Sequence, residues 1–301
     1  MSSEHPSDIA PPFTPAQEIP PPVPPAAEPV ATAPGPVAAG ACPGGRGQAS
    51  FVYAMGTIQV RYPNLGVERE VSQAVKALDS AHLTDPEVLH QILADHRYLA
   101  REVCWVMAVE GIEVYVLIPR DGHVLDQLVE AIRPAPPGLD CDVVIGTRGA
   151  LAPPAACGGL VLPTVLVDQV YSFEITELIA ALPRPEGVEE RPFRAGAEEL
   201  YRHVLQMADN VGSLDEHRAL NYLAVRYPRL YELTAEMLGR ESTLSGVEVR
   251  PSRLSGSRRL LDAVLSYTHR KTDVTERYYV RVDVTEKYPF LASKLAPFYD
   301  R

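Results

Sequence analysis

The chain has 301 residues, 46% of them apolar, so it can bury the core of one large domain or two small ones. Its 39 acidic residues outnumber its 28 basic residues, and the net charge of -11 argues against a general binder of nucleic acids or anionic membranes. The sequence shows neither a signal peptide nor a run of about 18 apolar residues able to span a bilayer. We therefore expect a cytoplasmic protein with no nucleic-acid or membrane partner.

The first 50 residues differ in composition from the rest of the chain. They carry 13 of the 29 prolines and few large apolar side chains, so residues 1–50 are predicted to form a disordered Pro/Ala-rich tail or linker. The run from Pro20 to Pro25 favours extended polyproline II, which is typical of spacers and of ligands for Pro-recognition domains. The folded domain is expected to span residues 51–301.

The folded region begins with a predicted strand at Phe51–Tyr62, followed by a helix that starts after Asn64. Thr84 and Glu87 have the spacing of a capping box and predict the start of a second helix. The clearest hairpin is Val103–Ile118, where a glycine next to Glu110 supplies the positive φ that a tight turn needs. Its first arm lacks polar alternation, which indicates a strand covered on both faces.

The middle of the chain continues with elements of both kinds. Asp121 is predicted to cap a helix, and apolar runs at Val143–Ile145 and Leu160–Val167 are predicted to be buried strands. Ser172 is expected to cap the helix that follows. A three-helix region around residues 190–240 comes next and is interpreted as a helical insertion.

The last sixty residues have the pattern of β-structure. A strand at Tyr278–Val284 alternates apolar and polar residues, and it is expected to pair with Leu260–Tyr267. Within the preceding helices, Ser213 and Glu216 have the spacing of a second capping box. Together these patterns predict an α+β fold, with a mixed or antiparallel sheet and flanking helices.

The motifs of common catalytic and cofactor sites are not found in the sequence. There is no glycine-rich phosphate loop after a strand, no Gly-x-Ser-x-Gly elbow and no His-Glu-x-x-His, so we expect neither a cofactor nor a catalytic residue. Four widely spaced cysteines indicate reduced thiols rather than a disulfide framework; they are Cys42, Cys104, Cys141 and Cys157. No metal site is expected, although convergence of Cys104, Cys141 and Cys157 on a metal stays open. Cys157 lies in an apparent loop, where an exposed thiolate near Arg148 would be reactive.

The densest basic cluster of this acidic chain consists of Arg250, Arg253, Arg258 and Arg259. Because a guanidinium group can hold a carboxylate through two hydrogen bonds, this cluster is the predicted docking site of an acidic peptide. The alternative is a solvated loop that balances nearby acids. His217, in the first turn of a predicted helix, is a further candidate for the peptide site, with helix capping as the simpler interpretation of its neighbourhood.

Five stretches of the folded region resemble the PatG C-terminal domain family, which occurs at the ends of subtilisin-like proteases that mature cyanobactin peptides. The stretches are residues 51–58, 97–105, 142–149, 215–228 and 249–256. The resemblance covers residues 51–301 and implies association with the maturation of ribosomally made peptides. It supplies no catalytic residues, because the family has no established enzymatic role.

The leading interpretation is a non-catalytic accessory or scaffold protein that binds a precursor peptide or a maturation enzyme. Since the chain lacks the Gly-Thr-Ser nucleophile motif of subtilisins, any proteolysis is expected to come from another polypeptide, such as a subtilisin-like protease. Two alternatives stay open. One is an enzyme of unrecognised type that modifies such peptides through Cys157 or His217, and the other is a metal-stabilised structural homodimer.

Overall fold

The computed structural model describes residues 50–78, 83–134, 140–181, 189–205 and 209–299. The chain from Gln48 to Arg301 forms one compact unit. The predicted Pro-rich tail lies, except for residue 50, outside the described residues. Within the described ranges, no helix is both long and apolar enough to cross a membrane.

The first sheet is a closed barrel of five strands. They are Phe51–Arg61 (β1), Cys104–Val109 (β2), Ile112–Pro119 (β3), Asp140–Leu151 (β4) and Pro163–Glu174 (β5). The strand order is β1-β2-β3-β5-β4, and only the β3–β5 pair is parallel. The predicted hairpin is confirmed as β2 and β3, with φ values of 51° at Glu110 and 79° at Gly111 in its turn. All six residues of β2 are buried, as its apolar sequence predicts.

Eight α-helices lie within the described residues. They are Leu65–Ala77 (α1), Asp85–Asp95 (α2), Arg97–Glu102 (α3), Gly122–Ala131 (α4), Ile175–Ala181 (α5), Glu190–Leu205 (α6), Asp215–Arg226 (α7) and Arg229–Gly239 (α8). The predicted caps of the first helices are confirmed. Asn64 accepts a hydrogen bond from the N–H of Val67, and Asp121 caps α4 in the same manner. The capping box of Thr84 and Glu87 begins α2.

Two other predicted caps are wrong. Ser172 lies inside β5, where its hydroxyl donates to Asp142 Oδ1 at 2.5 Å, because pairing with β4 continues past it. Ser213 does not cap α7, since Leu214 is the N-cap residue and makes no side-chain hydrogen bond. The turn before this helix is held by Gly212, which has a φ of 73° and accepts a hydrogen bond from the N–H of Tyr53. Contact with β1 therefore outweighs the local capping signal.

The second sheet is antiparallel and contains the last five strands. They are Ser242–Pro251 (β6), Leu260–His269 (β7), Thr275–Asp283 (β8), Phe290–Leu291 (β9) and Ala296–Pro297 (β10). Its order is β10-β8-β7-β6, with β9 also paired to β8. The predicted pairing of the two long C-terminal strands is confirmed, with Leu261 opposite Val282. The α+β fold is thus confirmed, and its β-structure is divided between two sheets.

The barrel strand β1 contributes to two hydrophobic cores on opposite faces. Val52 and Ala54 lie in a core that includes residues of α1 to α4. Tyr53 and Met55 lie in a second core with residues of α6 to α8 and of the second sheet. Successive side chains of a strand point to opposite faces, so one strand joins the two cores. The helices expected around residues 190–240 cover the second of them.

A disulfide bond joins Cys104 and Cys157, and the expectation of reduced thiols is wrong for these two residues. Their Cα atoms are 5.6 Å apart, which suits a disulfide, and both side chains are buried. The barrel brings together cysteines that are 53 residues apart, a proximity that their spacing does not reveal. Cys157 is therefore not an exposed reactive thiol. Cys141 is free and buried, and Cys42 lies outside the described residues.

Candidate functional site

Three polar side chains lie directly opposite one another across the second sheet. Arg250 on β6 pairs in register with Asp262 on β7, and Asp262 pairs in register with Arg281 on β8. The residues beside them in sequence, such as Val249 and Ala263, face the hydrophobic core. Because side chains alternate along a strand, the row of Arg250, Asp262 and Arg281 lies on the outer face of the sheet.

The carboxylate of Asp262 is held by Arg281. Arg281 Nε lies 2.6 Å from Asp262 Oδ1, and Arg281 Nη2 lies 3.1 Å from Oδ2. The hydrogen bond to Asp262 raises the pKa of the Arg281 guanidinium above its usual value. Arg250 instead stacks on Phe298, with its Cζ atom 4.4 Å from the ring centroid. The charge of Arg250 is therefore not neutralised by a carboxylate of the row.

These residues form one wall of a pocket of about 370 Å³, which we call the arginine pocket. It is lined by Arg250, Pro251, Arg253, Asp262, Arg281, Phe298 and Tyr299. Arg253 is exposed and makes no hydrogen bond or ion pair with the residues that the structure describes. The Tyr299 side chain, beside it, is 78% exposed. With three arginines and one aspartate, the pocket has two positive charges in excess and fits an anionic group next to an apolar or aromatic one.

The other two arginines of the predicted cluster take part in ion pairs of the fold. Arg258 Nε lies 2.5 Å from Asp283 Oδ2, and Arg259 Nη1 lies 2.9 Å from Asp215 Oδ2. Burial alone would raise the pKa of Asp283, but hydrogen bonds from Thr285 and the charge of Arg258 bring it below its usual value. The structure thus places Arg250 and Arg253 together in the pocket and separates Arg258 and Arg259 from it.

His217 lies on α7 and is not among the residues that line the arginine pocket. Its side chain is buried, and its Nδ1 atom has no hydrogen-bond partner within the described part of the chain. Burial lowers the pKa of His217, while the charges of Glu216 and Asp209 act in the opposite direction. A neutral, buried imidazole is poorly placed to bind a peptide carboxylate at this surface.

A larger cavity, of about 750 Å³, lies between the barrel and the first helices. Its wall is formed by residues of β1 and β5, the start of α2 and the end of α4. The buried acid of this wall, Asp142, accepts hydrogen bonds from the N–H of Ile58 and the hydroxyl of Ser172. These bonds join β4 to β1 and β5, so the Asp142 carboxylate already holds the strands of the barrel together.

The described residues contain no group of three or more His, Cys, Asp or Glu side chains that could hold a metal ion. Cys141 lies in the core shared with the second sheet, whereas Cys104 and Cys157 cluster on the barrel with Val106 and Val116. The three cysteines considered as a joint metal site are therefore not brought together.

Sequence reasoning missed four of the seven residues that line the arginine pocket. Asp262 and Arg281 lie on the two strands whose pairing is predicted. A prediction of the register of that pair would have placed the two residues opposite each other. Phe298 and Tyr299 follow the short strand β10 and carry no pattern that links them to Arg250. Only the antiparallel pairing of β10 with β8 brings them to the pocket.

Comparisons with known proteins agree with this architecture. Residues 187–298 match the sequence model of the family described as PatG C-terminal, a segment that includes α6 to α8 and the second sheet. No curated protein matches the sequence. A solved structure described as "PatG Domain of Unknown Function" is similar to this chain, with 19% sequence identity and a TM-score of 0.68 over 83% of this chain and 99% of that one. Residues 187–298 are therefore similar to the PatG C-terminal family, and the chain shares the fold of the solved PatG domain.

Proposed function

We propose that this protein is a non-catalytic accessory protein in the maturation of ribosomally made peptides of the cyanobactin type. In this proposal the arginine pocket binds an acidic segment of a precursor peptide or of a maturation enzyme, such as a subtilisin-like protease. Residues 1–50 act as a tether, residues 51–301 act as the binding domain, and the protein works in the cytoplasm. The match to the PatG C-terminal family supports the pathway, and the pocket supports the binding role.

The observation that carries the proposal is the pair of guanidinium groups without a carboxylate partner, on Arg250 and Arg253. Arginine binds carboxylates through two parallel hydrogen bonds, and its planar group also stacks on aromatic rings. Contact with Phe298 holds Arg250 in place before a ligand arrives, so less side-chain entropy is lost on binding. The chain as a whole has a net charge of -11 and repels acidic ligands, whereas the arginine pocket is positively charged and attracts them.

The test measures binding of a fluorescein-labelled peptide by fluorescence anisotropy with the full-length protein. The probe alternates valine with aspartate, and a matched probe carries asparagine in place of aspartate. We expect binding of the acidic probe only, and we expect Arg250→Gln/Arg253→Gln to weaken it by about tenfold or more, since each charged hydrogen bond contributes about 1.5–3 kcal/mol. Binding should also weaken as salt is raised, because the pocket is open to solvent.

The control variant is Arg101→Gln/Arg202→Gln, which removes the same charge from exposed positions of α3 and α6. It should bind the acidic probe as the unmodified protein does. Equal losses in the two double variants would show that net charge, rather than the arginine pocket, attracts the peptide, and the proposal would then be wrong.

A further inference from the structure

The strand β6 forms one edge of the second sheet. It pairs with β7 on one side, and among the described residues no strand pairs with its other side. Arg250 lies near its C-terminal end, and Arg253 lies two residues after the strand ends. The edge therefore runs into the arginine pocket.

The hydrogen-bond pattern shows which backbone groups of β6 face outward. The N–H of Ser252 donates to the carbonyl of Leu260 at 2.8 Å, so this residue bonds toward β7. Residues of an antiparallel strand alternate between bonding to one neighbour and to the other, which directs the N–H and C=O groups of Val247 and Val249 to the free edge. The carbonyl of Pro251 also faces the free edge. Because proline has no N–H group, this residue has no unpaired backbone donor at the edge.

The two faces of this edge differ in chemistry. Val247 and Val249 are half-buried and pack against the hydrophobic core on one face. Glu248 and Arg250 lie on the other face, with the arginine pocket beyond them. A peptide strand beside β6 would meet apolar side chains on one face and a net positive charge on the other.

The N-terminal part of the edge is not equally open. The register shifts between Leu244 and Gly246, and a bulge of this kind interrupts regular pairing. The Nε2 atom of His203 on α6 also forms a 3.2 Å hydrogen bond with the Leu244 carbonyl. The usable edge is thus the segment 247–251, which lies after the shift and next to the pocket.

We infer that an extended acidic peptide binds as an added strand along residues 247–251 of β6. Its acidic side chains lie on the face of Arg250, and its alternate, apolar side chains lie beside Val247 and Val249. The inference rests on the proposed function and adds the mode of docking, in which backbone hydrogen bonds supply affinity and the arginines supply selectivity. A second copy of β6 complements the charge of this edge less well than an acidic peptide does. Its strand carries a single carboxylate, on Glu248, to face the two guanidinium groups of Arg250 and Arg253.

The test uses Val249→Pro and the acidic valine–aspartate probe defined above. Proline removes the outward N–H of residue 249 but leaves the bonds to β7 in place, as Pro251 already does two residues further on. The control, Val249→Ala, shortens the same side chain and keeps the N–H. We expect Val249→Pro to bind the probe about tenfold more weakly than Val249→Ala, at equal thermal stability of the two variants.

A second measurement leaves the protein unchanged. Two further probes carry N-methyl groups either on every valine or on every aspartate, so each blocks one edge of the peptide strand while all charges remain. Strand addition predicts that one methylated probe loses binding by about tenfold or more while the other keeps it, since only one edge faces β6.

The outcomes separate the inference from the proposed function. If both methylated probes and both Val249 variants bind equally, while Arg250→Gln/Arg253→Gln still loses binding, strand addition is wrong and the arginine pocket stands. If the arginine variant also binds normally, the proposed function fails as well. Light scattering can also show a dimer. If Val249→Pro dissociates that dimer but addition of the acidic probe does not, a second copy of the chain covers the edge and the inference is overturned.

Discussion

Arg218 lies in the first turn of α7, and its side chain is only 1% exposed. Its Nη1 atom donates to Asp215 Oδ1 at 2.9 Å and to the Val284 carbonyl at 3.0 Å, while Nη2 contacts the carbonyls of Glu286 and Lys287. Burial lowers the pKa of this guanidinium, and the charge of Asp215 acts in the opposite direction. One side chain therefore ties the segment after β8 to a helix.

Replacement of this residue should destabilise the protein strongly. We predict that Arg218→Met lowers the free energy of unfolding by about 3–5 kcal/mol, because it leaves the carbonyls after β8 without their donor, each at a cost of about 1–3 kcal/mol. Asp215 keeps Arg259 as its partner. The measurement is equilibrium unfolding in urea. The control, Arg253→Met, should change the value by less than about 0.5 kcal/mol, since that arginine is exposed and unpaired within the described residues. Similar small losses in both variants would contradict the assigned role of Arg218.

The four arginines near residue 255 show what a residue-level pattern can and cannot indicate. Their density in an acidic chain predicts a docking site for an acidic peptide, and two of them line the arginine pocket. Their partners could not be predicted, because Asp283 and Asp215 reach Arg258 and Arg259 only through the folded chain. The sequence shows how many arginines lie close together, whereas ion pairs within the fold decide which of them can bind a ligand.

At the scale of elements, the Cys104–Cys157 disulfide joins β2 to the short 3₁₀ turn at Pro154–Ala156. The pair lies in a small cluster of buried residues with Val106, Val116 and Ala152. The bond restrains a long loop of the unfolded chain, and it also fixes the turn against the barrel. We therefore expect it to contribute to stability.

Removal of the disulfide should be measurable in two ways. We predict that Cys104→Ala/Cys157→Ala lowers the free energy of unfolding by about 2–4 kcal/mol, the typical contribution of a disulfide bond. A thiol reductant should lower the stability of the unmodified protein in the same direction and leave the double variant unchanged. Mass spectrometry of a non-reduced digest should show the linked peptides. If reductant has no effect on the unmodified protein, the bond is not formed in solution.

Helix starts were predictable where their signals are local. Asn64, Thr84 and Asp121 cap helices through hydrogen bonds to residues two or three positions away, and the sequence contains all the partners. Ser172 and Ser213 carry the same signal but are engaged or displaced by contacts with β4 and β1. A capping residue is therefore a reliable guide only where no strand competes for the same segment.

At the scale of the whole molecule, the two hydrophobic cores share strands of the barrel. β1 and β4 contribute residues to both cores, such as Val52 and Val144 to one and Tyr53 and Val143 to the other. The side-chain amide of Asn221 on α7 also donates to the Tyr53 carbonyl at 2.8 Å. Unfolding of either core would disrupt β1 and β4, and the other core would then lose the apolar side chains that these strands contribute.

This arrangement predicts a single cooperative unfolding transition. The chain has one tryptophan, Trp105, and it lies in the core of the barrel and the first helices. Its fluorescence should change at the same urea concentration as the far-UV circular dichroism, which also reports on α6 to α8. Coincidence of the two curves is the test of two-state behaviour. A tryptophan transition separated from the circular dichroism transition would show that the two cores unfold independently.

The sequence by itself determined the α+β class, the main helices, the β2–β3 hairpin and the pairing of the long C-terminal strands. These features depend on periodicity, turn residues and caps, whose physical causes act within a few residues. Only the tertiary structure decided the division into two sheets, the Cys104–Cys157 bond, and the meeting of Arg250 with Phe298. Each of these joins residues separated by tens of positions, because burial and strand pairing select contacts across the whole chain rather than along it.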